Sequence, residues 1–176
     1  SHDGKITKED IRSISITALM PAPGQILWDV GAGCGSIGIE WMRRDKRSRA
    51  IAIEHQEKRL RFIAKNAVML GTPDLKIING RAPQALEKLE TPDAIFIGGG
   101  LSNVGVFKAC WQALRVGGRL VVNAVTTESE AMLIKLNRNF GGDLTRNAIS
   151  KTNPISIFYS GHTYLASQVL KSTMNC

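Results

Sequence analysis

Short, almost continuously apolar runs alternate along this chain with longer segments whose apolar residues recur at helical spacing. The runs predict strands buried on both faces, and the spaced segments predict amphipathic helices. Strands are predicted over residues 25–30, 50–53, 75–78, 94–97 and 120–122. Helices are predicted over residues 11–19, 37–42, 56–70, 83–89, 104–114 and 128–140.

Two more apolar stretches follow, near residues 144–149 and 164–170. Strands that alternate with helices indicate right-handed βαβ units and a parallel sheet. We therefore expect an α/β, Rossmann-like fold, with a mostly parallel seven-stranded sheet and helices on both faces, as a single domain over residues 1–176. A ligand of such a sheet binds beyond the carboxyl ends of the strands, where the strand order reverses.

Composition excludes several classes of protein. The 176 residues are 43% hydrophobic and 22% charged, as in ordinary globular domains. No apolar run has membrane-spanning length and no signal peptide is recognisable, so we expect a cytoplasmic protein without membrane contact. Three cysteines and three histidines are too dispersed to predict a disulfide framework or a metal site: Cys34, Cys110, Cys176, His2, His55 and His162.

The chain is basic, with 23 Lys and Arg against 15 Asp and Glu, a formal net charge of +8. This charge indicates either an anionic partner or only a solvated surface rich in cations, and the two interpretations stay open. The basic run over residues 42–49 is typical of a helix carboxyl end. Because no aromatic residue interrupts it, the run is only weak evidence for nucleic-acid binding, and our prediction is a chain without a nucleic-acid partner.

The most informative segment is residues 27–38, LWDVGAGCGSIG. An apolar strand ends, three alternating glycines follow, and a helical pattern begins. A strand that turns this sharply into a helix leaves free backbone N–H groups open to a ligand. Glycine is needed because a Cβ would block both the turn and the ligand. The segment predicts a small cofactor held by backbone atoms.

The glycine pattern alone fits two cofactors. Residues 33–38 satisfy the G-x-G-x-x-G dinucleotide fingerprint, and Glu54 lies where that fingerprint places a ribose-binding acid, so a nicotinamide or flavin enzyme stays an alternative. Asp29, just before the glycines, favours the cationic end of a sulfonium cofactor instead. Residues 114–121, LRVGGRLV, resemble a turn of class I S-adenosylmethionine methyltransferases, with Val116 in the usual proline position.

That resemblance implies S-adenosylmethionine as cofactor and assigns its contacts. The loop of Gly31, Ala32, Gly33, Cys34 and Gly35 would pass under the amino-acid part, with Asp29 beside the cationic end. Glu54 would accept hydrogen bonds from the ribose hydroxyls, unless it is only a surface carboxylate or helix cap. Arg81 and Ala82 follow the third strand, where adenine binds, although Arg81 could equally face solvent.

Five segments together resemble one family: residues 6–12 (ITKEDIR), 28–36 (WDVGAGCGS), 80–83 (GRAP), 96–100 (FIGGG) and 121–126 (VVNAVT). This is the family of precorrin methyltransferase/decarboxylase domains, found at the carboxyl end of precorrin-6Y C(5,15)-methyltransferases and as stand-alone C-15 methyltransferases. The resemblance covers residues 2–157. It implies methylation of a precorrin tetrapyrrole at carbon 15 with decarboxylation of the ring C acetate, in cobalamin biosynthesis.

The resemblance further implies a homotetramer, and it makes the chain a candidate carboxyl-terminal part of a longer two-domain enzyme. The polycarboxylate tetrapyrrole would be the anionic partner of the +8 charge. An RNA methyltransferase stays an alternative from that charge, although the fourth strand lacks the Asn/Asp-Pro-Pro-Tyr segment of enzymes that methylate base amines. A non-catalytic binding module is a third alternative.

Roles for single residues also follow from the family. Thr7 matches a cofactor-contacting threonine, or caps the first helix. The substrate-binding candidates are Gly98, Gly99, Gly100, Asn123 and Thr126, with a tight turn or loop capping as the structural alternatives. His162 and Tyr164 are candidate proton donors or structural residues, and no catalytic residue is assigned.

Overall fold

The computed structural model describes residues 9–151 and 160–170, with the backbone alone for residues 148–151 and 160–170. The helices are α1 (Glu9–Leu19), α2 (Ser36–Arg44), α3 (Glu57–Met69), α4 (Val106–Ala113) and α5 (Thr127–Phe140). The strands are β1 (Ile26–Val30), β2 (Arg49–Glu54), β3 (Lys76–Asn79), β4 (Ala94–Ile97), β5 (Arg119–Ala124), β6 (Asp143–Lys151) and β7 (Ser160–Leu170). Each predicted strand is present, with ends shifted by no more than two residues among the first five.

The seven strands form one sheet in the order β3-β2-β1-β4-β5-β7-β6. The first five strands of the chain are mutually parallel, whereas β7 pairs antiparallel with β5 and with β6. The order reverses between β1 and β4, so the crevice expected of such a sheet opens above these two neighbours. The predicted α/β class and the seven-stranded sheet are confirmed.

Helices cover both faces of the central strands, which explains why β1 and β4 together carry a single polar residue, Asp29. On one face, α1, α2 and α3 pack over Leu27, Phe96 and Val121. On the other face, α4 and α5 pack over Trp28, Ile95 and Val122. Neighbouring residues of one strand therefore serve opposite cores, as the pleat of a strand requires.

The α1 helix runs antiparallel to the parallel strands. Its carboxyl end leads into β1 at the amino edge of the sheet, so its first turn lies at the carboxyl edge. The inward-facing residues of α1 are Ile11, Ser15, Ile16 and Leu19. Among the described helices, none is long and apolar enough to cross a membrane.

One predicted helix is wrong. The segment over residues 83–89 forms only a 3₁₀ turn, Gln84–Leu86. Its apolar spacing suited a helix, but Glu87 is extended and Lys88 has a φ of 62°. A non-glycine residue in the left-handed region ends a helix, because right-handed dihedrals cannot continue through it.

Candidate functional site

The carboxyl edge between β1 and β4 is closed by a small set of backbone hydrogen bonds. The Gly31 and Ala32 amides both donate to the Ile53 carbonyl of β2, at 2.9 and 3.1 Å. The Gly98 amide donates to the Val30 carbonyl at 3.0 Å. The loops that follow β1 and β4 are thereby fixed side by side, with β2 as their support.

Glycines make this close approach of two loops possible. A Cβ on Gly31, which has a φ of 72°, would lie 3.0 Å from backbone atoms of Gly99. A Cβ on Gly35 would contact Ile63 at 3.0 Å, so α2 could not pack so tightly on α3. Gly33 and Gly99, in contrast, face open space: nothing lies within 4 Å of a Cβ built on either. The two loops therefore form an open cradle bounded by backbone.

Glu54 anchors the cradle from the end of β2. Its side chain is only 2% exposed. Oε2 accepts a hydrogen bond from the Gly33 amide at 3.0 Å, and Oε1 accepts from the His55 and Gln56 amides at 2.8 and 3.0 Å. Arg59 lies 3.8 Å from Oε2. Glu54 is thus neither the surface carboxylate nor the simple helix cap of the structural alternative, because it bridges two strand ends.

Asp29 lies beneath the cradle and not at its surface. It is 1% exposed, and its Oδ2 accepts a hydrogen bond from the Gly38 amide at 3.0 Å, in the first turn of α2. Its Oδ1 is buried and has no partner among the described residues. Burial raises the pKa of Asp29 to about 7, the Gly38 amide lowers that pKa, and the nearby Glu54 carboxylate raises it. Asp29 therefore positions the amino end of α2.

The loop after β3 closes the cradle on the side of Glu54. The Gly80 amide donates to the Glu54 carbonyl at 3.0 Å. A Cβ on Gly80 would lie 2.8 Å from the Cβ of Ala85, so the turn there requires glycine. Ala82 is half-buried next to this turn, and Arg81 is exposed. Both residues lie at the edge where the sequence placed them.

Asn123 lies near the carboxyl end of β5 and is 8% exposed. Its Nδ2 donates to the Ser15 hydroxyl of α1 at 3.0 Å, and that hydroxyl donates to the Ile11 carbonyl at 2.8 Å. The Asn123 Oδ1 is buried without a partner in the described part of the chain. The structure thus adds a contact between β5 and α1 that neither predicted role included.

Thr126 begins α5 and is its cap. Its Oγ1 accepts a hydrogen bond from the Ser129 amide at 3.2 Å, and the Ser129 hydroxyl lies 3.1 Å from the Thr126 amide. This reciprocal arrangement is a capping box. The side chain is exposed at the carboxyl edge. The structural alternative for Thr126 is therefore present, and a substrate contact stays a prediction.

The glycines after β4 have different surroundings. A Cβ on Gly98 would lie 2.8 Å from the Phe96 ring, whereas Gly100 adopts a φ of 79°. Gly99 and Gly100 are exposed. The turn needs glycine at two of the three positions for its own geometry, and the exposed third position leaves room for a ligand.

Two residues that the sequence analysis missed hold the site together. Asn66 of α3 donates from Nδ2 to the Cys34 carbonyl at 3.1 Å and so fixes the glycine loop. Ser15 supports Asn123. An asparagine inside a helix and a serine on an apolar helix face are the signals that could have found them.

Thr7 lies outside the described residues, and His162 and Tyr164 lie in β7, where only the backbone is described.

A cavity of about 430 Å³ lies away from the strand ends, between α4 and α5. Its walls are mainly the rings of Phe107, Trp111 and Phe140, whose centroids are 5.0 to 6.0 Å apart. No predicted site residue lines it. The described residues also contain no group of three or more His, Cys, Asp or Glu that could hold a metal ion.

The site therefore joins an open backbone cradle to a buried acid at the end of the second strand. A ligand can lie across the glycines with a hydroxyl-bearing part toward Glu54. The buried Asn123 acceptor lies on the other side of β4 from the cradle, near the carboxyl end of β5. The geometry thus separates a cradle around β1 and β2 from a second region around β4 and β5.

Comparison with known proteins gives consistent results. A sequence profile described as the precorrin methyltransferase domain matches residues 1–169. The precorrin-6Y C(5,15)-methyltransferase [decarboxylating] of Sinorhizobium sp is 51% identical over 154 residues, which are 88% of this chain and 37% of that protein. The protein of the same name from Mycobacterium tuberculosis is 45% identical over 146 residues, 83% of this chain and 37% of that protein.

The crystal structure of the carboxyl-terminal domain of precorrin-6Y C5,15-methyltransferase from Rhodobacter capsulatus is similar throughout. It is 38% identical, with a TM-score of 0.88, and the match covers 96% of this chain and 92% of that one. The chain spans little more than a third of the length of the two curated relatives. Because the profile covers nearly the whole chain, this chain belongs to the precorrin methyltransferase domain family.

Proposed function

We propose that this chain transfers a methyl group from S-adenosylmethionine to carbon 15 of a precorrin tetrapyrrole and couples this to decarboxylation of the ring C acetate, in cobalamin biosynthesis. The observation that carries the proposal is the open cradle anchored by Glu54, in a chain 51% identical to a protein named for this activity. The rest of that relative's length lies outside the match, so its C-5 chemistry is not assigned here.

The cradle fits S-adenosylmethionine in shape and in hydrogen-bonding groups. Gly33 and Gly99 leave the space that a ligand lying on backbone needs. Glu54 Oε2 has one backbone donor, and a carboxylate oxygen accepts two hydrogen bonds, so a ribose hydroxyl can still bind. Ala82 offers its backbone to the adenine, and Gly31 to Gly35 lie under the methionine part. When bound, S-adenosylmethionine supplies a methyl group activated by a sulfonium.

The work of the chain itself is positioning and electrostatics. Glu54 and the glycine loop fix the donor, and the flat turn of Gly98, Gly99 and Gly100 lets a macrocycle approach. Held by Glu54 and the glycine loop, the cofactor would supply the methyl group for a carbon–carbon bond at carbon 15, and its sulfur would keep the electrons of the broken carbon–sulfur bond. In the decarboxylation, the electrons of the broken bond to the carboxylate enter the conjugated macrocycle, and the acetate carbon gains a proton.

Two further parts of the proposal concern the whole assembly. We expect Thr7 to contact the cofactor, and we expect the chain to form a homotetramer. Light scattering of the purified chain measures the second of these directly. A monomer at micromolar concentration would contradict it without affecting the assignment of the reaction.

The sharpest test of the cofactor site is binding of S-adenosylhomocysteine by calorimetry. We expect Glu54→Ala to weaken binding by about 1–3 kcal/mol, because a buried charged acceptor for the ribose is lost. Glu54 also holds the Gly33 amide. A loss of affinity through the missing ribose contact must therefore be distinguished from a loss through a loosened glycine loop. The ligand that lacks the ribose 2′-hydroxyl separates the two, because it should lose affinity in the wild type and lose little more in Glu54→Ala.

Glu90→Ala is the matched control. Glu90 is an exposed carboxylate that pairs with Arg49 at the opposite edge of the sheet. Its removal changes the net charge equally and should leave affinity unchanged. A wild type that binds no S-adenosylhomocysteine, or that transfers no labelled methyl group to a precorrin, contradicts the proposed function.

A further inference from the structure

The first turn of α1 carries an arginine, Arg12, that has no partner among the described residues. Arg12 is half-buried, and no hydrogen bond or ion pair joins it to the part of the chain that the structure describes. Half-buried arginines usually have an anionic or carbonyl partner, because desolvating a guanidinium is costly. A cation in the first turn of a helix is also unfavourable toward the helix dipole. Folding by itself therefore gives little reason for an arginine at this position.

The height of Arg12 above the sheet follows from the Ser15–Asn123 hydrogen bond. That bond places Ser15 level with the next-to-last residue of β5. Arg12 lies three residues nearer the amino end of the helix, which raises it by about 4.5 Å along the axis. Helical side chains also lean toward the amino end. The guanidinium therefore extends past the end of β5, toward the carboxyl edge.

The face of α1 that carries Arg12 is the one turned to the sheet. Residues three, four and seven positions along a helix share a face, and these are Ser15, Ile16 and Leu19, all buried. Ile97 of β4 pairs with Val122, so the glycine turn that follows β4 is level with Asn123. Arg12 thus extends over the ends of β4 and β5.

A second polar group without a partner in the described part of the chain lies at the same edge. The Ser15 hydroxyl has one proton and donates it to the Ile11 carbonyl, so toward Asn123 it can only accept. This fixes the amide of Asn123 with Nδ2 on Ser15 and leaves Oδ1 buried and unpaired. The Ser15–Asn123 hydrogen bond therefore fixes the helix that carries the Arg12 cation against the strand that carries the Asn123 acceptor, and neither group has a partner among the described residues.

We propose that Arg12 binds a carboxylate of the methyl-accepting substrate and that Asn123 Oδ1 accepts a hydrogen bond from an N–H group of the same molecule. The proposal rests on the proposed function. Guanidinium groups bind carboxylates in a two-point fork, which suits a substrate with many acidic side chains. The methionine end of the cofactor also has a carboxylate and an N–H donor. However, β5 lies two strands from β1, about 10 Å from the glycine loop. A methionine end held by that loop is therefore too far away to be the partner of Asn123.

The test compares Arg12→Gln and Arg12→Lys with Arg43→Gln. Arg43 is an exposed arginine near the carboxyl end of α2, which lies at the opposite edge of the sheet, so its replacement removes the same charge far from the site. The readouts are transfer of labelled methyl to the precorrin substrate, calorimetric affinity for S-adenosylhomocysteine, and the midpoint of thermal unfolding.

We expect Arg12→Gln to raise the KM for the tetrapyrrole tenfold or more. Its affinity for S-adenosylhomocysteine should stay within twofold of wild type, and its unfolding midpoint should not fall. Arg12→Lys keeps the positive charge but not the two-point contact of a guanidinium with a carboxylate. Its KM should therefore lie between those of the wild type and Arg12→Gln. Arg43→Gln should match wild type in all three measurements.

Three results would overturn the inference. An unchanged KM in Arg12→Gln excludes a substrate contact. Weakened binding of S-adenosylhomocysteine with an unchanged KM assigns Arg12 to the cofactor. The third result is a lowered unfolding midpoint in both Arg12 variants, with a rise in KM no larger than the loss of stability explains. Arg12 would then have a structural role only. A wild-type chain without methyl transfer contradicts the proposed function, and with it the substrate contact that rests on that function.

Discussion

Glu54 and Asp29 are both buried carboxylates at the candidate site, but their surroundings differ. Glu54 accepts three backbone hydrogen bonds and lies near His55 and Arg59. Asp29 accepts one hydrogen bond from Gly38 and keeps a buried oxygen without a described partner. The sequence suggested cofactor contact for both residues. The structure leaves Glu54 in a position to make that contact and gives Asp29 a supporting position under α2.

The raised pKa of Asp29 predicts a decline in stability with rising pH. The folded pKa is about 7 and the ordinary value is 3.8. Below about pH 4, the Asp29 carboxyl is protonated in both the folded and the unfolded state. As the pH rises, the folded state keeps this proton up to a higher pH than the unfolded state does. The free energy of unfolding should therefore fall between about pH 4 and pH 7, by at most about 4 kcal/mol, and level off above.

Denaturant unfolding of the wild type and of Asp29→Asn across pH 4–8 measures this contribution. The amide keeps an oxygen for the Gly38 amide but does not titrate. The wild type should lose stability relative to Asp29→Asn as pH rises through this window. A difference that stays constant across the window would show that Asp29 titrates at its ordinary pKa.

At the scale of elements, the carboxyl edge of the sheet is formed by the ends of strands and the beginnings of helices. The strands β1, β4 and β5 end at this edge, and α1, α2 and α5 begin at it. Two of these helices have a polar contact in the first turn, Gly38 with Asp29 and Ser129 with Thr126, and α1 has one in its middle, Ser15 with Asn123. Polar residues at the strand ends therefore set the positions of helices as well as the chemistry of the site.

The capping box of α5 predicts a measurable stability effect. Thr126→Ala should lower the free energy of unfolding by about 1 kcal/mol, because the Ser129 amide loses its acceptor. Thr126→Ser keeps that acceptor and should retain most of the stability. Denaturant unfolding of the three proteins checks this.

The same variants address the predicted substrate contact of Thr126. If the residue serves only as a cap, KM for the tetrapyrrole should be equal in the wild type and in both variants. An increase in KM for Thr126→Ala that Thr126→Ser does not share would support a substrate contact through the hydroxyl. If Thr126→Ala instead has the same free energy of unfolding as the wild type, the capping role is excluded.

At the scale of the whole molecule, some of the described arginines are paired with acids and others are not. At the edge opposite the site, Arg49 and Arg115 pair with Glu90 and Asp93. At the site edge, Arg12 has no described partner and Arg81 is exposed. These two cations are placed to attract the anionic substrate that is proposed to bind at this edge.

This distribution predicts a salt effect specific to the substrate. Raising the salt concentration from 50 to 500 mM should increase KM for the tetrapyrrole several-fold, because screening weakens attraction between exposed charges. Affinity for S-adenosylhomocysteine, which has no net charge, should change little. Salt-sensitive transfer of the methyl group to RNA would favour the nucleic-acid alternative instead.

Much of the fold could be predicted because the strands are buried on both faces. Their apolar runs match the observed strands to within two residues over the parallel half of the sheet, and the glycines mark the turn after β1. The segment at 83–89 could not be predicted in this way. Its apolar spacing is helical, but Lys88 adopts a positive φ, and a lysine gives no sign in the sequence of this conformation.

The sequence by itself determined the alternation of strands and helices, the backbone cradle and the acid at the end of the second strand, because burial and turn geometry restrict the residue types there. Only the tertiary structure decided which polar groups meet. Ser15 and Asn123 are 108 positions apart, and Asp29 proves to be buried under α2. Such contacts depend on how helices pack on the sheet, and a hydrogen bond between distant residues leaves no periodic signal in the chain.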